Sequence, residues 1–111
     1  MNTILVDVKQ ALGLMVDNLG FDFEILMHIN AAVSQLVQLG VSEFEEVVVD
    51  ADEEWPVFST ETLSGLVKPY VYLRTKLVFD PSASGTIAQA LEKHADTLEG
   101  RIAHEVYEVV V

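Results

Sequence analysis

Apolar residues recur at helical spacing in four stretches of this 111-residue chain, a pattern that predicts a mostly α-helical protein. A short helix is expected near residues 3–13. A longer second helix of about 17 residues begins at Asp22, whose carboxylate can cap the first turn, and stops before Gly40. Its apolar stripe consists of Leu26, Ile29, Val33, Leu36 and Val37.

Two more helices are predicted in the second half. The third begins at Thr60, and Pro69 inside it is expected to kink the helix or to begin it anew. Its apolar positions are Leu63, Leu66, Val67, Tyr70, Leu73, Leu77 and Val78. Ser82 or Ser84 is expected to cap the last helix, which carries Ile87, Leu91, Ala95, Leu98, Ile102 and Val106 on one face. The tail from Val106 is equally compatible with a helix end or a strand.

Residues 41–59 break the helical period. Their β-branched and aromatic residues predict a β-hairpin or an extended loop pinned by Trp55 and Phe58, and Pro56 confines any second strand to an edge. The predicted fold is therefore mostly α: a small helical bundle with two longer helices, a short N-terminal helix, and a β-hairpin or extended acidic loop. No repeat or linker divides the chain, so residues 1–111 are expected to form a single domain.

Charge changes this picture more than composition does. The net charge is −12, with twelve acidic residues and one basic residue in positions 1–61, and six acidic and five basic residues in positions 62–111. The six basic residues are scattered, which argues against gripping nucleic acid or an anionic membrane. Half of the residues are apolar, more than a domain this small can bury, so some of that surface is expected to meet a partner.

Residues that could carry chemistry are scarce. The chain has no cysteine, and its three histidines lack the spacing of a zinc pair, so they are interpreted as surface or interface residues. The acidic run 50–54 lacks the glycine and glutamate of a calcium loop. The glycines form no phosphate cradle and no serine lies beside a histidine. We therefore expect no cofactor, no metal and no enzymatic activity, and no stretch is apolar enough to span a membrane.

Two segments, taken in order, resemble one known family. Residues 28–41, which end in Gln-Leu-Gly-Val, and residues 71–82, which contain Tyr-Leu-Arg and Phe-Asp-Pro, resemble the signature helices of tailed-bacteriophage head-to-tail connector (adaptor) proteins. A later helix with Leu98-Glu99 near its end also matches. Ser82 and Gly100 depart from the usual family pattern.

The resemblance implies a structural virion protein, assembled in the host cytoplasm and located at the head-tail junction. Such proteins form rings, usually of twelve subunits, that dock beneath the portal protein, extend the DNA channel and support stopper or tail-completion proteins. DNA passes through without specific binding. The resemblance further implies portal docking by the C-terminal segment, with a tail at about residues 104–111. The docking residues carried over are Leu98, Arg101, Ile102, Val106, Tyr107, Val109 and Val111.

The acidic loop has two interpretations. It lines the channel or faces the tail, because like charge keeps sliding DNA from sticking, or it only keeps an apolar subunit soluble. The acidic residues concerned are Glu43, Glu45, Glu46, Asp50, Asp52, Glu53 and Glu54. An alternative function is a small acidic regulatory or inhibitor protein that binds a basic partner. That alternative accounts for the charge and leaves the ordered family motifs unexplained.

Overall fold

The computed structural model describes residues 3–45, 47–79 and 85–110, with side chains to Glu108. These residues form four α-helices: α1 (Ile4–Ala11), α2 (Asp22–Gln38), α3 (Glu61–Phe79) and α4 (Gly85–Val110). A short 3-10 helix covers Ser42–Phe44. The predicted mostly α fold is confirmed. The predicted caps Ser82 and Ser84 lie outside the described residues. None of the described helices combines the length and apolarity needed to cross a bilayer.

The long helices pack as an antiparallel core. Phe21, just before α2, contacts Phe79 at the end of α3, and Thr60, just before α3, bonds Glu105 near the end of α4. α3 therefore runs against both α2 and α4. The fully buried side chains come from every helix and include Ile4, Val8, Ile25, Ile29, Leu36, Leu63, Val67, Tyr70 and Ile102. The predicted core role of Tyr70 is confirmed.

α3 continues through Pro69 without a break, so the helix does not begin anew there. The proline forfeits one backbone hydrogen bond, and burial of the flanking residues Leu66, Val67 and Tyr70 offsets that loss. Val78 and Ile87, both predicted on apolar faces, are 59% and 54% exposed. They lie at one end of the bundle, beyond the last buried positions of their helices.

The β-hairpin alternative for residues 41–59 finds no support in the described residues, and the extended alternative describes them. One isolated bridge joins Thr3 to Glu54, and the Ile4 amide donates to the Glu53 carbonyl at 2.9 Å. The Asn30 side chain bonds both the amide and the carbonyl of Val49, at 2.8 and 2.9 Å. A side chain thus satisfies backbone groups that would otherwise need a strand partner.

Aromatic side chains pin this segment as predicted. The Trp55 indole donates to Asp7 Oδ2 at 2.7 Å, and its ring meets Tyr72 edge-on at 6.2 Å between centroids. Phe58 packs edge-on against Phe44 at 5.7 Å. Such ring pairs add to the stabilisation from buried area. Residues 41–59, called the acidic segment below, are therefore an extended but anchored strip on the bundle.

Asp22 does not cap α2 as predicted. The cap position is Phe21, which makes no side-chain cap bond, and Asp22 accepts a hydrogen bond from the Lys9 ammonium at 2.8 Å instead. Lys9 is only 2% exposed and also donates to the carbonyls of Val16, at 2.9 Å, and Asn18, at 2.6 Å. A buried ammonium needs an acceptor for each of its donors. The Asp22 carboxylate therefore bonds Lys9 and does not cap the helix.

Candidate functional site

α4 divides the predicted docking residues between core and surface. Leu98 and Ile102 are buried, at 4% and 0% exposure, and belong to the protein's own core. Arg101 and Tyr107 are exposed. Helix α4 extends through Val109 to Val110, so the tail is helical rather than a strand there; Val111 lies outside the described residues.

The C-terminal turns of α4 close against the rest of the bundle. Val106 is half-buried beside Gly40, whose φ of +104° is the positive value predicted from its place after a helix. A Cβ at Gly40 would lie 2.9 Å from Val106 Cγ1, closer than packed atoms tolerate. Glycine is therefore required twice at this position, by backbone angle and by contact.

A polar network holds α4 to α3 at mid-height. The Tyr70 hydroxyl donates to Glu99 Oε2 at 2.9 Å, and Arg74 Nε donates to that hydroxyl at 3.1 Å. Arg74 also pairs with Glu99 and, at 3.2 Å, with Asp96. Burial raises the pKa of Tyr70 to about 12. The interaction with Arg74 lowers this pKa, and the interaction with Glu99 raises it. Burial lowers the pKa of Arg74, but its bonds to Tyr70 and Glu99 outweigh this and raise it overall.

The acidic segment exposes most of its predicted residues. Glu45, Asp50, Asp52 and Glu54 are exposed, Glu43 and Glu53 are half-buried, and Glu46 lies outside the described residues. The Glu43 carboxylate accepts hydrogen bonds from the Ser59 amide at 2.8 Å and hydroxyl at 3.0 Å, which ties the two ends of the segment together. Glu43 therefore has a structural role within the segment.

α4 and the acidic segment lie on opposite sides of the α2–α3 pair. α3 turns Arg74 toward α4 and Tyr72 toward Trp55 of the segment. α2 turns Asn30 toward the segment and shares a groove of about 390 Å³ with α3 and α4 through Gln35. At about 100° per residue these directions differ by roughly 160° on α3 and roughly 140° on α2. We call the two sides the acidic flank and the α4 flank.

Sequence reasoning missed a third surface at the bundle end where α2 begins and α3 ends. Large apolar side chains are exposed there, among them Met15 and Leu19 at 70% each, Phe23 at 80% and Met27 at 54%. We call this surface the apolar end; it comprises Met15, Val16, Leu19, Phe21, Phe23, Met27 and Val78. One signal was available, since Phe23 and Met27 are spaced i, i+4 and fall off the predicted stripe of α2.

The apolar end is held in shape although it is uncovered. The Lys9 ammonium bonds two carbonyls of the connecting loop and Asp22 of α2, which fixes the loop against the helix start. Phe21 and Phe79 pack edge-on at 5.4 Å. Exposed apolar clusters on an ordered framework mark interaction sites in soluble proteins.

Titratable groups elsewhere do not combine into a metal site. Among the described residues, no three His, Asp or Glu side chains are grouped so that they could hold an ion. His94 and His104 are exposed, as predicted, whereas His28 is half-buried in the groove with α4. Its Nε2 lies 3.7 Å from Glu24 and makes no hydrogen bond within the described part of the chain.

Comparison with known proteins decides the family. A family model described as phage connector protein matches residues 4–108, nearly the whole chain. The chain belongs to the phage connector protein family. The head-to-tail connector resemblance drawn from the sequence motifs is thereby confirmed, and family membership makes this a structural protein of the phage virion. No curated protein and no solved structure matches the chain.

Proposed function

We propose that this connector protein forms a ring, of twelve copies by family resemblance, which docks beneath the portal and extends the DNA channel. A stopper or tail-completion protein then attaches to its other side. Beyond family membership, one observation carries the proposal: the two ends of the bundle present unlike surfaces. A protein that joins two different partners along one axis needs that asymmetry.

The C-terminal end of α4 supports portal docking. Arg101 and Tyr107 project from a helix of 26 residues, roughly 39 Å long, whose inner face is anchored by Leu98 and Ile102. An exposed tyrosine and arginine on a rigid helix are the residue types that most often dominate binding energy at interfaces. Docking is therefore assigned to the outer side of the last described turns, at Arg101 and Tyr107.

The apolar end supports attachment of the stopper or tail-completion protein. It lies at the start of α2, away from the C-terminal end of α4, so both surfaces can be occupied at once. Its exposed methionines and phenylalanines supply adaptable apolar contact, which suits a second protein rather than DNA. Burying such side chains contributes roughly 1.5–3 kcal/mol each.

The first experiment is quantitative mass spectrometry of purified phage particles, with this chain counted against the portal protein. A ratio near one to one, with antibody labelling confined to one vertex, is the expected result. Absence from intact, infectious particles would contradict the connector role. It would favour the small acidic regulator, whose basic partner a pull-down would then identify.

Point variants then test the two ends separately. Deleting residues 105–111 is unsuitable, because Val106 and Glu105 contact Gly40 and Thr60 inside the subunit. Tyr107→Ser is expected to block joining to the portal, and Phe23→Ser with Met27→Ser to yield heads that carry the ring but no tail. Thr86→Ser, an exposed change near the start of α4, is the control. Normal particles from the Tyr107 or the Phe23/Met27 variant would contradict the corresponding assignment.

The channel-facing role of the acidic segment stays a prediction. This role needs no specific contact with DNA, because negative charge on the channel wall is enough to suppress contacts with the phosphates. Changing Glu45, Glu46 and Glu53 to Gln is expected to disturb DNA retention or ejection if the segment lines the channel. Particles with normal infectivity would instead favour the interpretation that these acids maintain solubility.

A further inference from the structure

The outward face of α4 contains a groove that the protein's own fold leaves open. Lys93, Thr97, Gly100 and His104 recur at i, i+4, i+7 and i+11 and are all exposed. Thr97, Gly100 and His104 line a groove of about 460 Å³ together with Leu66 of α3. This groove lies on the α4 flank.

No packing among the described residues requires a glycine at position 100. A glycine inside a helix costs about 1 kcal/mol relative to alanine. Nothing among the described residues lies within 4 Å of where its Cβ would be, unlike Gly40, where the contact is 2.9 Å. The missing side chain deepens the groove and leaves room for the close approach of a group from outside the subunit.

The basic residues beside the groove are unpaired. The side chains of Lys93 and Arg101 make no hydrogen bond or ion pair within the described part of the chain, although the protein has eighteen acidic residues. The α4 carboxylates nearest to them point elsewhere. Asp96 and Glu99 pair with Arg74, and Glu105 bonds Thr60. Two cations therefore remain available to a partner.

The acidic flank offers the complementary surface. Val57 is 93% exposed and Val48 is 78% exposed, the only large apolar side chains so exposed on the described part of the acidic segment. Asp52 and Glu54 lie in the same segment, both exposed and without a basic partner among the described residues. This surface has apolar projections and acidic neighbours, whereas the groove has an open floor and basic neighbours.

We propose that the acidic segment of one copy docks into the α4 groove of the next. Val57 and Val48 fill the space over Gly100, and Asp52 and Glu54 pair with Lys93 and Arg101. The two surfaces lie on opposite flanks of one subunit, as a head-to-tail contact that closes into a ring requires. The inference rests on the proposed ring and identifies its lateral contact, which is separate from the apolar end and shares only Arg101 with the proposed portal-docking surface.

Charge reversal tests the pairing on the full chain. Lys93→Glu with Arg101→Glu, and Asp52→Lys with Glu54→Lys, are each expected to weaken self-association by about tenfold or more, because like charges then face each other. Mixing the two variants is expected to restore assembly, since every contact in an alternating ring is then complementary. Asp17→Lys with Glu24→Lys, exposed acids outside the acidic segment and outside the α4 groove, is the matched control. Oligomer mass is read by sedimentation.

Cysteine cross-linking tests the contact directly, because the chain has no cysteine of its own. Under oxidation, Val57→Cys with Thr97→Cys in one chain is expected to give a covalent ladder, and Asp17→Cys with Thr97→Cys to stay monomeric. A native chain that remains monomeric at about millimolar concentration would overturn the inference, as would rings unaffected by either charge reversal. Neither result bears on the connector role, which the particle count decides.

Discussion

The two ends of this bundle are built in opposite ways. At the apolar end, the Lys9 ammonium bonds three acceptors in the interior while large apolar side chains lie in solvent. At the other end, Gly40 and Val106 are packed together, and Thr60 bonds Glu105. One end uses buried charge to order an uncovered apolar surface, whereas the other closes on itself.

This difference between the two ends supports the proposed positions of the two partners. At the closed end the packing and hydrogen-bond partners lie within the subunit, so the proposed portal docking would depend on the outward residues of α4. An apolar end that is ordered yet uncovered has already lost its conformational entropy, so a partner gains affinity at little further cost. A connector that binds a partner at each end, as proposed, needs both properties.

Removing the Lys9 ammonium is expected to cause the largest loss of stability among these variants. Lys9→Met leaves the Asp22 carboxylate and two carbonyls without their donor, and we expect the free energy of unfolding to fall by about 3 kcal/mol. Urea unfolding measures the loss. Lys76→Met, an exposed change at the same end, is the control and should alter stability by less than about 0.5 kcal/mol. Equal losses for both variants would show that the buried ammonium is not what orders this end.

Adding a side chain at Gly40 tests the packing of the closed end. Gly40→Ala combines a φ of +104° with a Cβ 2.9 Å from Val106, so we expect a loss of about 2–3 kcal/mol. Gly100→Ala is the matched substitution in open space. It should stabilise the isolated subunit by about 0.5–1 kcal/mol through helix propensity. Similar values for the two variants in urea unfolding would contradict the assigned packing.

The network of Tyr70, Arg74 and Glu99 lies midway between the ends and is tested by the pH dependence of stability. The pKa of Tyr70 is raised from 10.0 to about 12, so the folded state holds its proton more tightly than the unfolded state. The stabilisation is complete below pH 10 and is lost as the pH rises toward 12, by about 3 kcal/mol in total. Burial and Asp7 also raise the pKa of Tyr72. Tyr70→Phe should flatten the slope of stability against pH in this window; an unchanged slope would refute the assignment.

The smallest effect on folding is expected at the uncovered surface itself. Phe23→Ser with Met27→Ser replaces side chains that are already 80% and 54% exposed, so the unfolding free energy should change by less than about 0.5 kcal/mol. Thermal unfolding of the purified subunit checks this. A large loss would mean that these residues support the fold, and the apolar end would then be part of the core rather than a binding surface.

Local sequence was sufficient for the helices and for the family. The apolar periods and Gly40 predicted α2 to its observed length, and the order of the Gln-Leu-Gly-Val and Phe-Asp-Pro motifs indicated the connector family. Burial was predicted where a residue lay at the centre of a stripe, as for Ile29 and Tyr70. These features depend on neighbours within one or two helical turns, which sequence spacing specifies directly.

Only the tertiary structure decided which surfaces remain free. Leu98 and Ile102 became core because α3 covers them, and Phe23 and Met27 became surface because none of the described elements covers them. Lys9 was buried because acceptors from a loop and a second helix converge on it. Periodicity shows that a face is apolar but not what packs against it, since that depends on contacts between residues far apart in the chain.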